Sequence, residues 1–152
     1  MGFTRNNPLN IRYSVKNDWL GQVGERNGFC VFSEEKYGWR AAFVLLKNYN
    51  KKGYRSIKTI VHRFAPASEN PTSSYVAFVC KKMLGLGYES YGMDFEDAPL
   101  DLSNDMVVID LLMCMSKFET GITTKSEHIR HQLSEFIDKF KSDYVIVRCA
   151  YE

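Results

Sequence analysis

The sequence predicts an α+β domain, mainly α, with about five helices and one small β-hairpin near the N-terminus. Three observations point there. Apolar residues recur at helical spacing in five segments after residue 33. Two short β-prone runs, Trp19–Val23 and Phe29–Phe32, flank an Asn27-Gly28 pair, which is a strong hairpin-turn signal. The chain has 152 residues, 45% of them hydrophobic and 14% aromatic, enough for one domain with its own core and too apolar for disorder.

Residues from about 5 to 32 read as loop and hairpin, punctuated by Asn6-Asn7-Pro8. Ser33 is placed to cap a helix from about Glu34 to Asn50, with Tyr37, Ala41, Val44, Leu45 and Asn48 at helical spacing. Gly53 breaks the chain. A short helix over about Ser56–Phe64 carries Ile57, Ile60 and Val61 on one face. Asn70-Pro71 supplies a cap and a first-turn proline for a helix from Pro71 to about Leu84, which buries Tyr75, Val79 and Met83. Residues 85–103 hold glycines, prolines and acids and read as loop. The apolar stretch from Met106 to Phe118 reads as a mostly buried helix stopped by Gly121. Thr124-Lys125-Ser126-Glu127 has the form of a capping box. It opens a helix to about Lys141 with Ile129, Leu133, Phe136, Ile137 and Phe140 facing inward, and the β-prone Tyr144–Val147 follows as a candidate edge strand. With no repeat, linker or low-complexity segment, one domain is expected over residues 1–152, with 123–152 as an additional C-terminal helix and strand.

A net charge of +2 and a pI near 8.3 are too mild for nucleic acid, but they suit an anionic polymer such as a bacterial cell wall. No apolar run reaches a membrane span. The N-terminal residues are polar and lack the apolar region of a signal peptide. The expectation is a monomer made in the cytoplasm, acting on the wall after delivery or release, or carried in a virion. Cys30, Cys80, Cys114 and Cys149 are far apart with no metal-type spacing, and Cys80 and Cys114 fall in apolar helical patterns as buried free thiols. His62, His128 and His131 show no metal spacing, and the last two fall on the polar face of the final helix. There is no Gly-rich phosphate loop and no Ser-His-Asp pattern. No metal or organic cofactor is implied.

Glu119 carries the chemistry. It closes the apolar stretch, in Ser116-Lys117-Phe118-Glu119-Thr120-Gly121. A carboxyl at the exit of a buried helix is partly shielded from water, which raises its pKa. A carboxylic acid kept protonated near neutral pH can protonate a leaving group, as glycoside cleavage requires. The competing reading is a solvated residue at a helix end.

Two blocks of motifs carry a resemblance. Arg5-Asn6-Asn7-Pro8, Asn7–Arg12, Trp19-Leu20-Gly21, Phe29–Phe32, Ala41–Leu46, Arg63-Phe64-Ala65-Pro66 and Ser68–Tyr75 resemble small phage and prophage proteins of the structural protein P5 or virion-associated type. The first of these pieces, with Asn70–Ala77, are also similar to flagellar-type β-N-acetylglucosaminidases, which share a lysozyme-like fold. In those enzymes the catalytic Glu lies upstream, in a helix ending in Glu-Thr-Gly. Here Glu119-Thr120-Gly121 comes at the other end. The resemblance therefore implies a circularly permuted lysozyme-like domain, a change that neighbouring termini make inexpensive.

The same resemblance implies roles for other residues. Glu25, at the hairpin tip, matches a second, mobile carboxylate that would act as general base for water or stabilise an oxocarbenium-like transition state, against an ordinary solvated turn residue. Tyr75 matches a tyrosine lining a sugar cleft, against a core aromatic. Trp19 is the candidate for stacking on a pyranose, while Trp39 reads as core. Asn10 is the substrate-contact candidate in Asn7–Arg12, where bracing of the loop competes. Glu69 is a spare carboxylate. The function implied is a peptidoglycan glycosidase of muramidase, glucosaminidase or lytic transglycosylase type, acting on glycan strands with Glu119 as general acid. The alternatives are a non-enzymatic virion or cell-wall-binding structural protein, and a secreted antibacterial toxin.

Overall fold

The computed structural model describes residues 2–65 and 72–137. In chain order it holds strands β1 (Gln22–Arg26) and β2 (Phe29–Phe32) and helices α1 (Glu35–Lys51), α2 (Ile57–Phe64), α3 (Thr72–Gly85) and α4 (Asp105–Thr120). A further helix, α5, covers 126–137 to the limit of the described residues. Single 3-10 turns sit at Thr4–Asn6 and Phe95–Asp97. The α+β, mainly α class is what the sequence predicts.

β1 and β2 pair antiparallel with Arg26 opposite Phe29, which leaves Asn27-Gly28 as a two-residue turn. Both have positive φ, 55° and 86°, as that turn requires. The strand begins later than expected. Trp19 and Leu20 form a turn, because Gly21 packs flat on Tyr37, where a Cβ would lie 2.2 Å from the ring. The strand also runs further, so Glu25 is inside it opposite Cys30 and not at the tip.

The N-terminal loop lies along the other edge of β2. Ile11 accepts from Cys30 N at 3.0 Å, and Arg12 bridges to Phe29. Asn7, almost fully buried, holds this loop shut. Its amide donates to the Ile11 and Cys30 carbonyls, and its Oδ1 accepts from Ile11 N. Such bracing is the ordinary use of a loop asparagine.

α1 presents a different face from the one its spacing suggests. Trp39, Ala42, Phe43, Leu46 and Tyr49 are buried with Ala41, whereas Tyr37, Val44 and Leu45 are half-buried and Asn48 is exposed. The helix is covered from two sides, by α4 and by the N-terminal loop at Gly38. Ser33 does not cap it. Glu34 holds that position without a side-chain cap bond, and Ser33 N bonds Gly21 O. α2 begins with a capping box between Ser56 and Thr59. The start signal Asn70-Pro71 lies outside the described residues, but Tyr75, Val79 and Met83 are fully buried as expected.

α4 is the central helix. Val108, Ile109, Leu111, Leu112 and Met115 have no exposed surface, and α3 and α1 pack against it. It is capped by the Asn104 side chain on Met106 N and ended by Gly121 in the left-handed region, φ 75°. It is longer than the apolar stretch suggests, so Glu119 occupies its last turn. α5 starts at 126, with Lys125 O accepting from His128 and Ile129, later than a Thr124 capping box would place it. Its Ile129, Leu133 and Phe136 enter the core. Phe140 and Tyr144–Val147 lie outside the described residues, and no described helix is long and apolar enough to cross a membrane.

Candidate functional site

The C-terminal turn of α4 meets the N-terminal loop, the hairpin and the end of α2. Two long-range hydrogen bonds fix the meeting. The buried Ser116 hydroxyl donates to Pro8 O at 2.6 Å, and Asn10 Nδ2 donates to the Glu119 carbonyl at 3.0 Å. Asn10 reaches it from a left-handed backbone, φ 51°, a conformation that asparagine tolerates. Between these elements lies a cleft of about 120 Å³ lined by Asn10, Arg12, Phe29, Phe64, Ala65 and Glu119.

Glu119 is half-buried there. Burial raises its carboxyl above the ordinary range, while the nearby Tyr75 hydroxyl, the Asn10 amide and the charge of Arg12 pull it back. Desolvation wins, as the position at the exit of a buried helix suggests. Arg12 and Arg5 both lie over the Phe29 ring, at 5.1 and 5.0 Å, so guanidinium groups stand beside the Glu119 side of the cleft.

Tyr75 stands behind Glu119 and does not line the cleft. Its ring is fully buried and stacks on Phe118 at 4.1 Å. The hydroxyl has no partner in hydrogen-bond geometry, yet the tyrosine and Glu119 lie close enough to act on each other. Burial first, and the Glu119 charge second, push the tyrosine well above its ordinary pKa. Glu25 is not at the cleft either. It is exposed, and its Oε2 accepts from Gly28 N at 3.0 Å, so it closes the turn. Trp19 is half-buried against the core, with its indole N–H buried and unpartnered. Trp39 is fully buried, as expected of core. Glu69 lies outside the described residues. The structure thus joins Glu119 to Asn10 directly and to Tyr75 from behind, and leaves Glu25 and Trp19 elsewhere.

Phe29, Phe64 and Ala65 are lining residues that the sequence did not single out. All three lie in the motif blocks quoted above, which was the available signal. His128 is exposed on the polar face, as expected. Its Nε2 lies 2.6 Å from Glu35 Oε2, which also accepts from the Trp39 indole at 2.9 Å. This pair borders a separate hollow of about 680 Å³ beside Phe3, Thr124 and His131. Among the described residues, Asp94, Glu96 and Asp97 bring their carboxylates within 4.8 Å of one another on the surface, a grouping common without an ion. Cys30, Cys80 and Cys114 are free; burial pushes the Cys80 thiol up to about 11 and Cys114 up to about 12, so both are poor nucleophiles.

No family model matches the chain. It is similar to Protein P5 of Pseudoalteromonas phage PM2, with 36% identity over 86 residues. The match takes in 53% of this chain and 54% of the phage protein, so the chain spans about half the length of that relative. The phage part of the resemblance read from the motifs is carried by this similarity. The lysozyme-like part rests on the motifs alone.

Proposed function

We propose that the chain is a phage- or prophage-encoded structural protein, a virion or cell-wall-binding component that works without bond-breaking chemistry. The observation that carries this reading is the similarity to phage Protein P5. The cleft supports it. At about 120 Å³ it is well below the roughly 300–1,000 Å³ of ordinary ligand pockets. Glycoside hydrolysis uses two carboxyl groups about 5–9.5 Å apart across the bond. Among the described residues Glu119 is the only acid lining the cleft, and Glu25 is engaged by its own turn.

A second reading is favoured by one observation, the raised carboxyl of Glu119. On that reading the chain is a permuted lysozyme-like glycosidase in which Glu119 protonates the glycosidic oxygen of peptidoglycan. A transglycosylase-type reaction, with the sugar's own hydroxyl as nucleophile, needs only that one acid.

Two assays separate the readings. Mass spectrometry of density-purified particles from the encoding culture is expected to find the chain in the particles. Its absence there overturns the structural reading. Wild type and Glu119→Gln are then incubated with purified peptidoglycan and the soluble fragments weighed. No release from either is expected. Release by wild type that falls about 10²–10⁴-fold in Glu119→Gln, the usual worth of a general acid, replaces the structural reading with the glycosidase.

A further inference from the structure

We infer that Arg5 and Arg26, gathered around the Phe29 ring at the edge of the Glu119 cleft, hold an oxyanion, a carboxylate or phosphate group carried on a bacterial cell-wall polymer. The inference rests on the wall-binding form of the structural reading above.

Strand pairing brings the arginines together. Arg12 bridges to Phe29 from one side, and Arg26 pairs with it from the other. Residues directly opposite each other in antiparallel pairs project from the same face, so both arginines flank the Phe29 side chain. Arg5 reaches that ring from the N-terminal loop, its guanidinium 5.0 Å from the centroid against 5.1 Å for Arg12. Phe29 and Arg12 line the cleft, so the group stands at its mouth. Glu25 precedes Arg26 in β1 and so projects from the opposite face, and its carboxylate accepts from Gly28 N.

The charges are unbalanced within the described fold. Arg12 faces Glu119 and draws its carboxyl down. Arg5 and Arg26 form no ion pair among the described residues, and Arg5 Nε is buried without a hydrogen-bond partner. Like charges held this close repel, and a bound oxyanion removes the repulsion. A guanidinium packed on an aromatic ring keeps its plane fixed and its N–H fork ready for a carboxylate or phosphate. The backbone agrees. Arg5 has φ 63°, in the left-handed region, where a long side chain is uncommon and glycine would sit without strain. Such strain gathers at ligand-binding sites.

The site is open, since Arg12 and Arg26 are exposed and Arg5 is half-buried. That suits a group hanging from a polymer better than an enclosed small molecule. Duplex DNA carries one charge per roughly 1.7 Å and calls for a long basic stripe. Two unpaired arginines match the sparser anionic groups of a wall polymer.

The test is pelleting of the full chain with purified insoluble cell wall at rising salt, for wild type, Arg5→Gly and Arg26→Gln. Wild type is expected to pellet with the wall and to be released by salt. Each variant should bind about tenfold less tightly, the worth of one charge-assisted hydrogen bond. Both should melt no lower than wild type, because Arg5→Gly relieves strained backbone and Arg26 is exposed. Wall stripped of its phosphate polymer by hydrofluoric acid separates the two sources: retained binding assigns a peptidoglycan carboxylate, and lost binding assigns the phosphate. A wild type that does not pellet overturns the proposal, as do variants that bind like wild type or a DNA duplex bound more tightly than wall. Arg5→Gly that melts lower and binds unchanged makes Arg5 a structural residue and overturns it too. A chain present in purified particles but blind to wall sinks this inference and spares the structural reading; arginine-dependent wall binding by a chain absent from particles does the reverse.

Discussion

Gly38 sits inside α1, where helix propensity and packing make opposite predictions. Alanine is favoured over glycine in a helix interior by about 1 kcal/mol, so propensity alone says Gly38→Ala stabilises. The structure says otherwise. A Cβ at Gly38 would lie 2.0 Å from the Asn6 carbonyl oxygen and 2.6 Å from Pro8 Cδ. Ordinary contact begins near 3.4 Å, so the loop backbone must retreat by about 1.4 Å. That backbone is held by the three Asn7 bonds and by Ser116 on Pro8 O, each worth about 1 kcal/mol. Overpacking against a fixed wall costs about 1–3 kcal/mol, and losing two of those four loop bonds adds about 2 kcal/mol. After subtracting the helix gain, the expected loss is about 2–4 kcal/mol, or about 5–12 °C in melting temperature for a chain of this size. Urea denaturation followed by circular dichroism reads this directly. A Gly38→Ala protein as stable as wild type, or more so, would show that the loop is not seated on α1, and the placement of Asn10 at Glu119 would fall with it.

Three further outcomes follow from the same region. Ser116→Ala strands the Pro8 carbonyl in the core and should cost about 1–3 kcal/mol in chemical denaturation; a loss under about 0.5 kcal/mol refutes the bond. Tyr75→Phe removes a buried, unpartnered hydroxyl and should be neutral or stabilising by up to about 1 kcal/mol; a clear loss means that the hydroxyl bonds the Glu119 carboxylate. Glu119 has a folded pKa above its ordinary 4.5, so the carboxyl favours the folded state while protonated, and that contribution is lost as pH rises from 4.5 through the raised value. The stability of Glu119→Gln relative to wild type should therefore increase between pH 4 and pH 8 in paired urea melts, and a flat difference refutes the direction of the shift.

What could be read from the sequence was local. Asn27-Gly28 specifies its turn because only residues tolerant of positive φ fit there, and Gly121 specifies the end of α4 for the same reason. The periodic apolar residues of α3 and α5 located their buried faces. The face of α1 was misjudged because spacing assumes one covering partner and this helix has two. The desolvation of Glu119 was legible from its place at the end of a buried helix. Its meeting with Asn10 was not, since nothing in either segment encodes a contact across 109 positions. Glu25 does not reach the cleft, because a carboxylate beside a hairpin turn can fold back onto the backbone, and here it does.

Ser116 to Pro8 and Asn10 to Glu119 join positions 108 and 109 apart in the chain. During synthesis the N-terminal loop leaves the ribosome about a hundred residues before its anchors on α4 are made. Until then the Pro8 carbonyl and the Asn10 amide have no native partner to close on. The hairpin can form early from its own turn, but the cleft cannot exist on a partial chain. Ring closure over so long a loop also belongs to the slow class of folding events. A product truncated before α4 therefore offers the hairpin lobe without the cleft.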